Sequence, residues 1–306
     1  MKFLINTLCL FFALQSLTVL AENTLATETY LPLQFNTGNP APYGIPSTII
    51  TIQSKAIPIL FDTGASKSDI TLSEHALKNI HVLFTGKKIC FNAFDGRHCQ
   101  KEFIVPEIKI GDFLLKNVKG LLVSKLWDSH HDKGFIATEA SQNGVIGFNF
   151  LSQFNVLLDY PSSKVTLIKR NTALNHYDVT NWVSIPFENH LLTHLKLNNR
   201  PMTMIWDTGA IPSVIKKSVV NYFKSMPCPR NAPYFGKDCS AIEANFFSTA
   251  QNQLLPNTWF KITDIPSYAP FDGLIGSNFY RENLVYFDFD NHRIYIKHLN
   301  SALLRN

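Results

Sequence analysis

The tetrapeptide Asp-Thr-Gly-Ala is written twice in this chain, in "FDTGASKSDI" at 61–70 and in "WDTGAIPSVI" at 206–215, and a Ser and an Ile recur beyond it at matching offsets. At ordinary residue usage a given four-letter string turns up about once per 10⁵ positions, so the two copies imply a duplication or a shared task. The flanking segments extend the match. "ITIQSKAIPILFDTGA" (50–65) aligns without a gap on "LKLNNRPMTMIWDTGA" (195–210). Each copy reads as an alternating strand, a two-residue turn at Ser54-Lys55 or Asn199-Arg200, and a second apolar strand that ends on the Asp. Downstream, "GVIGFNFLSQFNVLLDYPSSKVTLIK" (144–169) aligns on "GLIGSNFYRENLVYFDFDNHRIYIKH" (273–298), again strand, Asp-containing turn and strand.

A chain of 306 residues can hold two such copies, each with a core of its own, and the unit is far too long for a solenoid repeat. Strand patterns dominate. Modest helix candidates are "TLSEHALKNI" (71–80), "SVVNYFKSM" (218–226) and short turns after "GVIG" and "GLIG". The expected fold is therefore all-β and bilobal, each lobe one copy of the repeat. The first copy is longer between its motifs, and the surplus is assigned to a polar surface loop, "SKLWDSHHDKGFIATEASQN" (124–143). The polar stretch "RNTALNHYDVTN" (170–181) is the expected linker, which gives lobes at 22–175 and 176–306.

The first 21 residues carry one Lys, an apolar run and a small-residue site at Val19-Leu20-Ala21, the pattern of a signal peptide cut after Ala21. A membrane anchor is the competing account; Gln15 and Ser16 interrupt the run and no charged flank follows it. Cleavage removes only Lys2 among charged residues, which leaves a mildly basic balance with scattered cations, so nucleic-acid binding is not expected. An exported chain, periplasmic or secreted, fits the leader, and the absence of an N-x-S/T sequon suits a bacterial setting.

Four cysteines remain after the leader, in two local pairs, Cys90 with Cys99 and Cys228 with Cys239. Three connectivities are open. The local one is preferred because each pair brackets a turn-like stretch at a similar place after a "DTGA". Free thiols or a metal site are the alternatives, and an exported chain is a poor place for four reduced thiols.

An Asp at the end of an apolar strand is costly to bury unless its carboxylate is hydrogen-bonded, and a following Thr-Gly lets the backbone turn its N–H groups toward it. Two such loops facing across a pseudo-twofold axis would set Asp62 against Asp207. Like charges that close cannot both ionise cheaply, so the pair shares a proton. The ionised carboxyl can then take a proton from a water while the protonated one polarises a carbonyl, which is general acid/base hydrolysis with no covalent intermediate.

The combination of apolar-apolar-Asp-Thr-Gly-Ala with a downstream apolar-apolar-Gly ("VIG" at 145–147, "LIG" at 274–276) resembles the aspartic peptidase family: pepsin-like in having two lobes in one chain, retropepsin-like in its "DTGA" and "GVIG"/"GLIG" strings. The resemblance implies Asp62 and Asp207 as the catalytic pair and Gly64 and Gly209 as part of their loops. It also implies Thr63 and Thr208 hydrogen-bonding across the loops, and Gly147 and Gly276 admitting the neighbouring loop. It implies a polypeptide substrate, a monomer, no cofactor and no metal. It further implies a flap hairpin, here "CFNAFDGRHC" with Phe91 or Phe94 at its tip, stapled if Cys90 and Cys99 are bonded. The chain departs from the pepsin pattern in placing Ala65 and Ala210 where a hydroxyl usually follows Asp-Thr-Gly, so an activity optimum less acidic than a pepsin's is expected. The stretch Glu22 to Ser54 holds no basic residue, so an ionic pro-segment lock is not expected.

Competing readings were open for several features. A single "DTG" is commonly a structural turn; two copies, each with its glycine partner, favour a site. Asp159 and Asp288, also paired by the repeat, read as turn caps. His130, His131, His190 and His194 lack the frame of a zinc motif and read as solvated. A catalytically silent peptide-binding or inhibitory module on the same fold is the alternative to an endopeptidase; both Asp residues are retained, which argues against it.

Overall fold

A computed structural model describes residues 26–35, 44–65, 67–78, 80–93, 96–124, 138–172, 177–197, 200–229, 239–248 and 253–299. The expected leader, His130, His131, Phe94 and the 175/176 boundary lie outside these residues.

The architecture is nearly all-β and follows the repeat. In the first half the strand order is Gln34–Phe35, Pro46–Ile52, Lys55–Phe61, Gly144–Ile146, Ile70–Ser73, Phe113–Val123, Gly96–Ile110 and Leu83–Ala93. A further pairing of Thr51 with Lys109 folds this sheet back on itself into a barrel-like lobe. The second half repeats the plan around Leu192–Leu197, Arg200–Trp206, Gly273–Ile275, Val214–Lys216 and Thr258–Thr263.

A third sheet of six antiparallel strands is built by both halves: Glu28–Pro32, Lys164–Lys169, Phe154–Asp159, Asn283–Asp288, Arg293–His298 and Val183–Pro186. At its centre Leu157 faces Tyr286, with Val156 opposite Phe287 and Leu158 opposite Val285. Leu157 and Tyr286 are equivalent positions of the aligned repeat, so an approximate twofold axis passes between them. Because this sheet is shared, the two expected cores fuse. One apolar cluster runs from Ile59, Phe61 and Phe103 in the first half through Leu158 and Tyr160 to Trp206, Phe260 and Phe287 in the second. Arg170 ties the halves at the sheet's edge, with Nε 2.5 Å from Asp290 Oδ1 and donations to the carbonyls of Ser152 and Phe289, each at 2.7 Å.

Local predictions hold with shifts. The first hairpin turns at Gln53-Ser54, one residue earlier than expected, because both residues take a left-handed conformation (φ 51° and 64°) and Ile52 pairs directly with Lys55, the geometry of a two-residue hairpin loop that follows strand twist. The helix expected over 71–80 shrinks to Glu74–Leu77, capped by the Ser73 hydroxyl, because Ile70–Ser73 is claimed by the sheet. The candidate at 218–226 is a 3₁₀ turn, Lys217–Tyr222, and short helices Phe148–Leu151 and Ser277–Tyr280 follow the two glycine motifs. The end of the expected surface loop is instead a helix, Glu139–Asn143, with Thr138 and Ser141 capping each other reciprocally. Asp159 and Asp288 accept from the N–H of Ser162 and Asn291, each at 3.0 Å, as turn caps. Both disulfides are local, Cys90–Cys99 and Cys228–Cys239.

Candidate active site

Each Asp is placed by the same device. Lys55–Phe61 runs parallel to Gly144–Ile146, which in turn lies antiparallel to Ile70–Ser73, so the loop 62–69 must bend around the end of an inserted strand. In the second half Arg200–Trp206, Gly273–Ile275 and Val214–Lys216 do likewise. The Asp N–H continues the ladder: Asp62 donates to Ile146 O at 3.1 Å and Asp207 to Ile275 O at 2.9 Å. Gly147 and Gly276 follow the inserted strands, where a β-carbon would stand 2.1 Å from Ala65 O and 2.5 Å from Ala210 O. Side chains at those two positions would push the Asp loops out of place. Phe148 N–H and Ser277 N–H then bind those same carbonyls, at 2.6 and 3.0 Å.

The two loops meet across the axis through four hydrogen bonds. Thr63 N–H donates to Thr208 Oγ1 and Thr208 N–H to Thr63 Oγ1, both at 2.9 Å. The Thr63 hydroxyl donates to Trp206 O at 2.8 Å and the Thr208 hydroxyl to Phe61 O at 2.9 Å. Both threonines are buried. This lock brings Asp62 and Asp207 together: their carboxyls hydrogen-bond to each other, and each also accepts from the glycine two residues on, Gly64 and Gly209, at 2.8 Å. The approach is close enough that a β-carbon on Gly64 would stand 2.5 Å from Asp207 Cγ and one on Gly209 2.6 Å from Asp62 Cγ.

Burial raises the proton affinity of both carboxyls. Asp207 is pushed well above the usual range, since the charge of Asp62 adds to its burial. Burial raises Asp62 as well, against its hydrogen bonds to Asp207 and to backbone N–H groups, which favour its charged form. The pair titrates as a unit and retains a shared proton at a pH where an ordinary carboxyl has lost it. Asp62 and Asp207 are each of intermediate exposure as whole residues. Chemically, one carboxylate acceptor and one carboxylic donor sit side by side.

All eight residues expected at the loops, Asp62, Thr63, Gly64, Asp207, Thr208, Gly209, Gly147 and Gly276, converge here. The hairpin of Leu83–Ala93 and Gly96–Ile110 forms as expected, with Cys90 opposite Cys99 and Phe91 opposite His98, the two rings stacked at 6.0 Å. The described ring contact of Phe91 is thus within its own hairpin. The His190 ring lies tilted against that of Phe148, 4.9 Å between centroids, and His194 meets Glu188 at 3.1 Å, which places these two histidines on different partners. Among the described residues no three His, Cys, Asp or Glu side chains gather as metal ligands.

Three further residues support the second loop. Ser213 accepts from Gly276 N–H at 2.8 Å, and its own N–H donates to Asn278 Oδ1 at 2.7 Å. Asn278 in turn donates to Thr258 Oγ1 and Trp259 O, at 2.9 and 2.7 Å. Ser213 is the serine repeated beyond "DTGA", and Asn278 recurs as Asn149 in the aligned "GVIGFNF" and "GLIGSNF" strings, so both carried a repeat signal; Thr258 carries none.

No family model matches the chain, and no curated protein matches it.

Proposed function

We propose that the protein is an aspartic-type endopeptidase that hydrolyses peptide bonds with a water activated by Asp62 and Asp207. What carries this reading is one observation: two carboxyls from the two copies of a repeat, hydrogen-bonded to each other, each held by a glycine N–H, and sharing raised proton affinity. In the reaction the ionised carboxyl accepts a proton from the water as its oxygen attacks the amide carbonyl. The protonated carboxyl donates to the carbonyl oxygen. The carboxyl that took the water's proton then gives it to the amide nitrogen while the other takes back a hydroxyl proton of the tetrahedral intermediate, so the C–N bond breaks as the carbonyl reforms and the dyad is left with its single proton. The Thr63/Thr208 lock holds the geometry through both steps, and a single chain supplies both halves of the site. The substrate is a polypeptide lying extended between the lobes, and the Leu83–Ala93 hairpin is its flap. The leader and disulfides suit an exported enzyme of the aspartic peptidase family.

The test is incubation of the mature chain with a mixed peptide library from pH 3 to 7, beside Asp62→Asn and Asp207→Asn. Cleavage by the parent and its loss in both variants supports the mechanism. Cleavage that survives both substitutions sinks it, and peptide binding without cleavage by the parent replaces it with a binding module.

A further inference from the structure

Tyr160 and Tyr280 are both fully enclosed, 0% exposed, and neither hydroxyl meets a protein partner in good hydrogen-bond geometry, with the Thr63 side chain beside that of Tyr280. They come from different halves: Tyr160 follows the strand Phe154–Asp159, and Tyr280 ends the helix Ser277–Tyr280. Their rings are 5.3 Å apart, and the Tyr280 ring lies 6.3 Å from that of Trp206, whose carbonyl receives the Thr63 hydroxyl. The two phenols therefore lie on the protein side of the dyad, behind the threonine lock.

A buried hydroxyl without a partner is costly, and such groups in native proteins are met by a protein atom or by ordered water. Two adjoining ones need a group that both donates and accepts, and water is the smallest that does so. We propose that Tyr160 and Tyr280 hold one internal water between them behind the two Asp loops and, through it, position the dyad as proton donors toward its ionised form. Thr63 adjoins the Tyr280 hydroxyl, and the charges of Asp207 and Asp62 act on both phenols, so the water's remaining hydrogen bonds face the loops. Burial raises both phenols well above their usual range, so they stay protonated and lend hydrogen bonds rather than protons. The charged groups that act on the two phenols are Asp62 and Asp207, and on Tyr280 also Tyr160. The arrangement supplies from beneath the hydroxyl support that Ala65 and Ala210 cannot give from above. The water site stands on the two enclosed hydroxyls and their ring contact; its service to the dyad rests on the charges that Asp62 and Asp207 exert on both phenols, and its role in catalysis on the hydrolase reading.

The test combines a crystal structure that resolves waters with Tm measured against pH for the parent, Tyr160→Phe, Tyr280→Phe and the double variant. Tyr286→Phe is the control, since Tyr286 also has a buried hydroxyl without a partner but packs with Leu157, Ile168 and Trp182 instead. One water within hydrogen-bond distance of both phenol oxygens is expected. Each single substitution should lower Tm, and the double should lower it no further than the worse single. A raised carboxyl makes stability fall as pH rises through its folded pKa. Loss of a donor to the ionised form raises that pKa again, so in Tyr160→Phe and Tyr280→Phe the fall should extend upward by about half a pH unit, and in Tyr286→Phe it should not. Absence of the water, or a Tm that stays level or rises in either single, overturns the site. A water with no pH shift beyond that of Tyr286→Phe overturns the positioning role. Neither readout needs turnover, so a parent chain that holds the water and shows the shift but cleaves no peptide refutes the hydrolase alone.

Discussion

Replacing Thr63 by valine preserves the shape of a buried side chain and removes one oxygen. That oxygen makes two of the four bonds between the loops, donating to Trp206 O at 2.8 Å and accepting from Thr208 N–H at 2.9 Å. Thr63 is 2% exposed and Thr208 0%, so water cannot replace what is lost. Stranding a buried polar group costs about 1–3 kcal/mol, so two of them give about 2–6 kcal/mol, a large share of the roughly 5–15 kcal/mol that a folded chain has to lose. At about 2–4 °C per kcal/mol for a chain of this size class, the melting temperature should drop by about 4–24 °C. Thr63→Ser is the control: it keeps both bonds and loses one methyl group, at about 1 kcal/mol. Calorimetry on the parent, both variants, Thr208→Val and the double Val variant completes the experiment. Thr208→Val breaks the other two bonds, and because the loops brace each other the double should cost less than the sum. Peptide cleavage should fall by about 10²-fold or more in either Val variant, since the loops that carry the carboxyls lose registry. Thr63→Val melting no lower than Thr63→Ser would refute the claim that hydroxyls, rather than packing, join the halves.

Asp207→Asn should abolish cleavage while raising Tm at neutral pH: the dyad's folded pKa lies above the ordinary carboxyl value of about 3.9, so its charge destabilises the fold increasingly as pH rises through that range, and the amide removes the penalty. A Tm gain that persists at pH 3, where the parent's dyad is protonated, would contradict this origin. Gly209→Ala inserts a β-carbon 2.6 Å from Asp62 Cγ and should reduce cleavage by about 10²-fold with CD-detected secondary structure retained; unaltered kinetics would mean the loops do not approach as described. Arg170→Met removes donations to Asp290, Ser152 O and Phe289 O and should cost about 1–2 kcal/mol by urea titration, allowing for solvent screening of a side chain 35% exposed. Burial opposes the charge of Asp290, but Arg170, Asn171 N–H and Asn155 together hold its carboxyl below the usual range. The cost should therefore be full above about pH 4 and shrink as pH falls through the lowered pKa. With Ala65 and Ala210 after the two Asp-Thr-Gly strings, the pH–rate profile should peak above a pepsin's; a maximum near pH 2 would contradict that.

The sequence by itself determined the pieces that local chemistry specifies. Strand alternation and turn residues marked the hairpins that end on Asp62 and Asp207, and the repeat announced that there are two of each. Short cysteine spacings pointed to the two disulfides, and a turn before each second strand gave the capping roles of Asp159 and Asp288. The first turn was misplaced by one residue because strand alternation alone does not say which pair takes positive φ. Separate cores were expected because a repeat reads as two units; Leu157 facing Tyr286 joined them into one. Only the tertiary structure decided that Gly64 faces Asp207 and Gly209 faces Asp62, that Thr63 bonds to the other half's backbone, and that Tyr160 and Tyr280 meet behind them. These contacts join residues more than 100 positions apart, as in the 145-residue separation of the threonine pair. They arise from how two twisted sheets close around a shared axis, and that closure leaves no periodic mark on either partner.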